Sequence, residues 1–154
     1  MTHEDYINEA LKLASDALAH NDVPVGAVVV LDGKIIGRGE NRREIDSDPL
    51  AHAEVIALKN AAKTTGSWNL SNASLYVTLE PCAMCAGAIV NSRIKNLYFG
   101  AFDGRFGCCG SVYNIPQDKK LNHFVNVKGG ILNKKCKKIL SDYFAQKRIK
   151  PKLY

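Results

Sequence analysis

"SLYVTLEPCAMCAGAIVNSRIKNLYFG", residues 74–100, decides the architecture. It opens on SLYVTL (74–79), a short β-branched and aromatic run of the kind that fills a buried strand. Residues 80–93 follow, a small-residue apolar segment with Pro81 at its head, which reads as a helix carrying proline near its first turn. NLYFG (96–100) is then a second strand. Strand, helix and strand in so short a stretch form a β-α-β unit.

The pattern extends in both directions. Upstream, GAVVVL (26–31) and KIIGRG (34–39) flank Asp32-Gly33, a pair that suits a tight hairpin turn. LAHAEVIALKNAA (50–62) is a helical run ending near Gly66, and Asp48-Pro49 before it suits a helix cap followed by proline. Thr2 and Asp5 can cap a first helix, in which Ile7, Ala10, Leu11, Ala14 and Leu18 recur at helical spacing until NDVPVG breaks it. Downstream, residues 102–118 read as a Gly-rich loop and HFVNVKGG (123–130) as a fifth strand. KKCKKILSDYFAQKR (134–148) reads as a basic amphipathic helix with Ile139, Leu140, Tyr143 and Phe144 as its apolar stripe. A hairpin followed by β-α-β alternation predicts an α/β fold: three layers, with a central five-stranded mixed sheet covered by helices on both faces. A chain of 154 residues fits one domain, 1–154, ending in the basic helix.

Apolar and charged fractions of 46% and 23% are those of an ordinary globular protein. No run of 18 or more apolar residues suggests a membrane span. The polar start MTHEDYINEA is unlike a secretory signal, so a cytoplasmic protein is expected. Five cysteines, an odd number with two adjacent, argue against a disulfide framework and for metal or catalytic use. Charge is unevenly spread. Residues 119–154 carry eleven Lys or Arg against one acid, Asp142, whereas residues 1–118 carry ten basic and fourteen acidic groups. One-sided positive charge is the electrostatic footprint of a polyanion such as nucleic acid, although a lysine-rich solvated helix has the same composition.

The chemistry sits at two expected helix starts. Cys82 and Cys85, at i and i+3 in one first turn, face the same way. A helix N-terminus favours thiolate over thiol. His52 stands at the front of the other helix. Two Cys and one His suit zinc, and three protein ligands plus a water is the catalytic pattern, where structural sites take four. Glu54, beside His52, then has a role as proton shuttle for the water. The joint pattern His-x-Glu … Pro-Cys-x-x-Cys matches the signature of zinc nucleobase deaminases. A structural zinc site would instead need a fourth ligand from Cys108, Cys109, Cys136, His3, His20 or His123.

At these residues the chain resembles the bacterial tRNA-specific adenosine deaminases of the cytidine deaminase-like superfamily. The likeness runs over nearly the whole chain. VPVGAVVV resembles the family's first strand, and DPLAHAE and TLEPCAMCAGAIVNSRI resemble its two zinc motifs. LYFGAFD with GCCGS is similar to the loop beyond the fourth strand, where the family more often has Ala at the positions of Cys108 and Cys109. LSDYFAQKR is similar to its terminal helix. The resemblance implies conversion of adenosine to inosine at the wobble position of a tRNA anticodon, with one zinc per chain, by a homodimer. It implies His52, Cys82 and Cys85 as zinc ligands and Glu54 as catalytic shuttle. It further implies Asn41 of GENRRE as a base-reading residue, with Asp103 and Phe144 near the RNA. An asparagine can donate and accept at once, which suits a purine edge, but a turn residue reads the same way in sequence. The expected partner is an anticodon stem-loop, with no DNA and no membrane. Two other readings stand beside this one: a deaminase of a free base or nucleoside such as guanine or cytosine, and an RNA-binding module with structural zinc.

Overall fold

Thr2 and Asp5 close a reciprocal capping box at the first helix: the Asp5 amide donates to Thr2 Oγ1 at 3.1 Å, and the Thr2 amide donates to Asp5 at 2.7 Å. A computed structural model describes residues 1–149 of the chain. The last five residues, including Lys150 and Lys152 of the basic tail and the end of the expected 1–154 domain, lie outside the described residues. In chain order come α1 (His3–Ala19), β1 (Gly26–Leu31), β2 (Lys34–Glu40), α2 (Ala53–Thr65), β3 (Ser74–Leu79), α3 (Ala83–Asn91), β4 (Asn96–Ala101), β5 (Asn126–Lys128) and α4 (Asn133–Ile149). A short 3₁₀ turn, Ile115–Gln117, precedes β5.

The five strands form one mixed sheet in the order β2-β1-β3-β4-β5. β1 runs antiparallel to β2 and β3, while β3, β4 and β5 are mutually parallel. Asp32 and Gly33 both take positive φ (51° and 75°), the conformation an Asp-Gly hairpin turn needs. Missing side chains reveal the layering. A Cβ on Gly26 would overlap the α1 backbone at Ala10 and Ala14, whereas one on Gly37 or Gly39 would overlap the α2 backbone at Ala57, Ala61 and Ala53. Gly26 and Gly39 belong to adjacent registers of one strand pair and so face opposite ways. α1 therefore covers one face and α2 the other. α4 joins α1, since Tyr98 stacks on His3 of α1 while Gly100, two residues on, abuts Cys136 of α4. α3 packs beside α2. This is the three-layer arrangement expected. Val28, Val29, Leu75, Val77, Leu97 and Phe99 fill the centre, each at most 1% exposed.

Four local expectations are corrected. Leu18 is 37% exposed and Ala17 takes the buried place, because 7, 10, 14 and 17 share one stripe. Asp48-Pro49 does not start α2: Asp48 Oδ1 accepts from the Leu50 amide at 2.8 Å in a separate turn, and the helix begins at Ala53. The fifth strand is three residues long, its flanks taken by loop. On α4 the stripe runs through Cys136, Leu140 and Tyr143, so Phe144 points away and is 47% exposed.

Candidate active site

His52 and Cys82 are both helix N-caps, each with extended backbone and no capping side-chain bond. Their side chains are thereby free to turn toward each other at two adjacent helix N-termini. Cys85, one turn into α3, joins them. The Cys82 and Cys85 sulfurs lie 3.6 Å and 3.4 Å from His52 Nδ1, and all three ligand atoms fall within 4.8 Å of one another. A tetrahedral zinc with Zn–S about 2.3 Å and Zn–N about 2.0 Å spans an S···N edge of roughly 3.5 Å. The donor set and its spacing therefore fit the metal. Among the described residues no other His, Cys, Asp or Glu completes this cluster. His123 instead contacts the Ile94 carbonyl at 2.7 Å, and His3 stacks with Tyr98.

Electrostatics favour cation capture. A hydrogen bond with the Cys85 thiol holds Cys82 far below the ordinary thiol range, to about 3, and the His52 imidazole assists. Cys85, as the donor, is pushed up by Cys82 and by burial. His52 is raised through its contact with Cys82. Metal binding requires all three groups in their deprotonated forms, so zinc uptake would release protons. Glu54 sits in the first turn of α2, only 4% exposed. Burial pushes its carboxyl up to about 7. A cation held by the neighbouring triad would oppose that rise.

These groups open onto a cavity of about 310 Å³. His52, Glu54 and Cys82 form one part of its wall, and Asn41, Asp103 and Phe144 also line it. Of the seven residues singled out in sequence, only Cys85 is not on that wall. Asn41 is 6% exposed, and its Oδ1 accepts from the Ala53 amide at 2.8 Å. It thus caps α2 from outside the helix, which leaves its Nδ2 to serve a ligand as a donor. Asp103 Oδ1 is likewise engaged, accepting from the Arg105 and Phe106 amides at 3.0 and 3.1 Å. Six wall residues were not among the site residues read from sequence: the aliphatic Val23, Val25 and Leu79, and Arg43, Phe106 and Glu80. An unpaired-looking second arginine in GENRRE and a phenylalanine in a Gly-rich loop were the available signals for Arg43 and Phe106.

Comparison with known proteins bears on this geometry. The family profile of the MafB19-like deaminases matches residues 1–148. A tRNA-specific adenosine deaminase of Bacillus subtilis is 45% identical over 153 residues, covering 99% of this chain and 95% of that protein. One of Haemophilus influenzae is 48% identical over 151 residues, covering 97% and 87%. Among solved structures, one from a study of A-to-I editing by tRNA:A34 deaminases superposes with a TM-score of 0.85 at 39% identity, covering 88% of this chain and 99% of that one. A guanine deaminase from Nitrosomonas europaea superposes at 0.81 with 25% identity, over 92% and 84%.

Proposed function

The chain belongs to the tRNA-specific adenosine deaminase family, and on that premise we propose that it hydrolyses adenosine to inosine at the wobble position of a tRNA anticodon. One observation carries the reading: a buried carboxylate, Glu54, shares a cavity with a His-Cys-Cys metal cluster and with a donor, Asn41, for a base. His52, Cys82 and Cys85 would hold one zinc. Zinc there would supply Lewis acidity, making water a competent nucleophile near neutral pH. Glu54 takes a proton from the attacking water and delivers it to the adenine ring nitrogen. As the water oxygen bonds to C6, Glu54 is left free to take the second proton from that new hydroxyl and pass it to the C6 amino group, which departs as ammonia while the C6 carbonyl forms. Burial serves this shuttle, because it disfavours a permanently charged carboxylate. The Nδ2 of Asn41 donates to an acceptor on the base edge.

The remaining wall suits a splayed RNA loop. Phe144 and Phe106, 47% and 67% exposed, offer faces on which bases can stack. Phe144 belongs to α4, whose Lys137, Lys138, Lys147 and Arg148 are all exposed and can meet phosphates. A homodimer and a cytoplasmic setting complete the proposal. The former follows from the family resemblance and is measured by sedimentation, and the latter follows from the tRNA substrate. Among the described residues no helix is long and apolar enough to cross a membrane.

Glu54→Gln tests the mechanism. It keeps size and removes the basic carboxylate, so zinc content should stay at one per chain while turnover on a stem-loop falls at least ~10²–10⁴-fold, the usual worth of positioned proton transfer. Unchanged turnover would remove Glu54 from the reaction. Loss of zinc together with turnover would make it a structural residue of the metal site.

A further inference from the structure

Glu80 is a buried acid that the reaction does not use. It is 2% exposed, and among the described residues no cation lies within ion-pair distance of it. A carboxylate buried without a cation is costly unless hydrogen bonds replace its water. All its partners come from one loop. Oε1 accepts from the Asp103 amide at 3.1 Å and from the Ser111 hydroxyl. Oε2 accepts from the Cys109 amide at 3.1 Å and the Ser111 amide at 3.0 Å. Gly107 leaves room for this, since a Cβ there would overlap both Glu80 Cδ and Asp103 O. The neighbouring Pro81 carbonyl accepts from the Cys108 amide at 2.9 Å. The loop is therefore wrapped around the end of β3, directly before the metal-ligand helix.

What the loop carries gives the contact its meaning. Asp103 and Phe106 both line the catalytic cavity, and Asp103 Oδ1 fixes the turn leading to Phe106. We propose that Glu80 is a positioning residue for RNA: by holding residues 103–111 through four donors, it sets the wall against which the anticodon loop is bound. This rests on the proposed deaminase reading, and it assigns to Glu80 neither metal binding nor proton transfer.

Glu80→Gln separates the anchors, because an amide NH₂ cannot accept. Turned toward Oε2's partners, it would face two N–H groups, of Cys109 and Ser111. Turned the other way, it meets one N–H, of Asp103, and a hydroxyl that can rotate to accept. The second orientation wastes fewer donors, so the substitution should release Asp103 while keeping the 109–111 end. Three readouts follow on the zinc-loaded full chain. Amide hydrogen exchange at 103–106 should speed up by about tenfold or more, as for a lost charge-assisted hydrogen bond. KM for a stem-loop RNA should rise by a similar factor, with kcat within about threefold and zinc at one per chain. Ser111→Ala removes only the hydroxyl donor, and its KM should stay within about threefold of the parent.

Parental exchange and parental KM in Glu80→Gln would overturn the proposal. So would a lower melting temperature with KM unchanged, which would make Glu80 merely structural. Loss of zinc would overturn it too, by placing its action on the metal helix. A parent protein that deaminates no stem-loop would sink the deaminase reading and the RNA-positioning claim with it. The exchange measurement would still show independently whether Glu80 holds the loop.

Discussion

Asn41 caps a helix and, in the proposed function, also donates to the base, and substitutions can part the two roles. Its Oδ1 caps the Ala53 amide, which is fully buried at the start of the helix bearing Glu54. Its Nδ2 is the end proposed to meet the base. Asn41→Ala leaves the Ala53 N–H buried without a partner, at a cost of about 1–3 kcal/mol. For a chain of this size each kcal/mol lowers Tm by about 2–4 °C, so a loss of roughly 2–12 °C is expected. Asn41→Asp keeps an acceptor, and a carboxylate at a helix N-terminus is favourable. Its Tm should fall clearly less than that of Asn41→Ala. It does, however, remove the donor and bring a second carboxylate near Glu54. Both variants should therefore lose kcat/KM on a stem-loop by about tenfold or more, the equivalent of roughly 1.4 kcal/mol. Thermal melts followed by inosine quantification measure both. Equal Tm losses in the two variants would refute the capping role, and parental kcat/KM in Asn41→Asp would refute the donor role.

Two more outcomes are expected. Adding zinc to chelator-stripped protein should raise its Tm, by about 2.7 kcal/mol of stabilisation at a hundredfold excess over Kd, whereas Cys85→Ala should bind no zinc, show no rise and lack turnover. Neutralising Lys137, Lys138, Lys147 and Arg148 together should raise KM for a stem-loop and flatten its salt dependence by about 0.7 per lost phosphate contact, with kcat retained. Lys138 is paired with Asp142 at 3.0 Å and Lys147 lies 5.2 Å from the Tyr143 ring, so those two should account for less of the effect than Lys137 and Arg148. An unchanged salt slope would make the tail a solvated face.

Sequence carried much of the fold because its signals were local. SLYVTL became Ser74–Leu79 and Asp32-Gly33 became a hairpin turn, each governed by residues within a few positions. Local signals also misled. Asp48-Pro49 has the chemistry of a helix start, but the N-cap position of α2 is His52, and the side chain that satisfies its first amide is Asn41, which arrives from beyond β2 and is invisible to any pattern along the helix. Phe144 has the spacing of a core residue, yet a stripe already filled by Cys136, Leu140 and Tyr143 leaves it outside, against the cavity. The structure brings His52, Cys82 and Cys85 together because each sits at a helix start, which spacing could suggest. Glu80 had no such signal. Its partners are mostly backbone amides of a loop more than twenty residues away, and backbone amides look alike in every sequence.

Product analysis on paired substrates tests the central claim most directly. The zinc-loaded protein is incubated with an anticodon stem-loop carrying adenosine at the wobble position, with the same stem-loop carrying guanosine there, and with free adenosine, guanine and cytosine, and inosine and ammonia are measured in each. The account predicts inosine and equimolar ammonia from the adenosine stem-loop, with no comparable release from the others. Ammonia from guanine or another free base, with the adenosine stem-loop left intact, would contradict it.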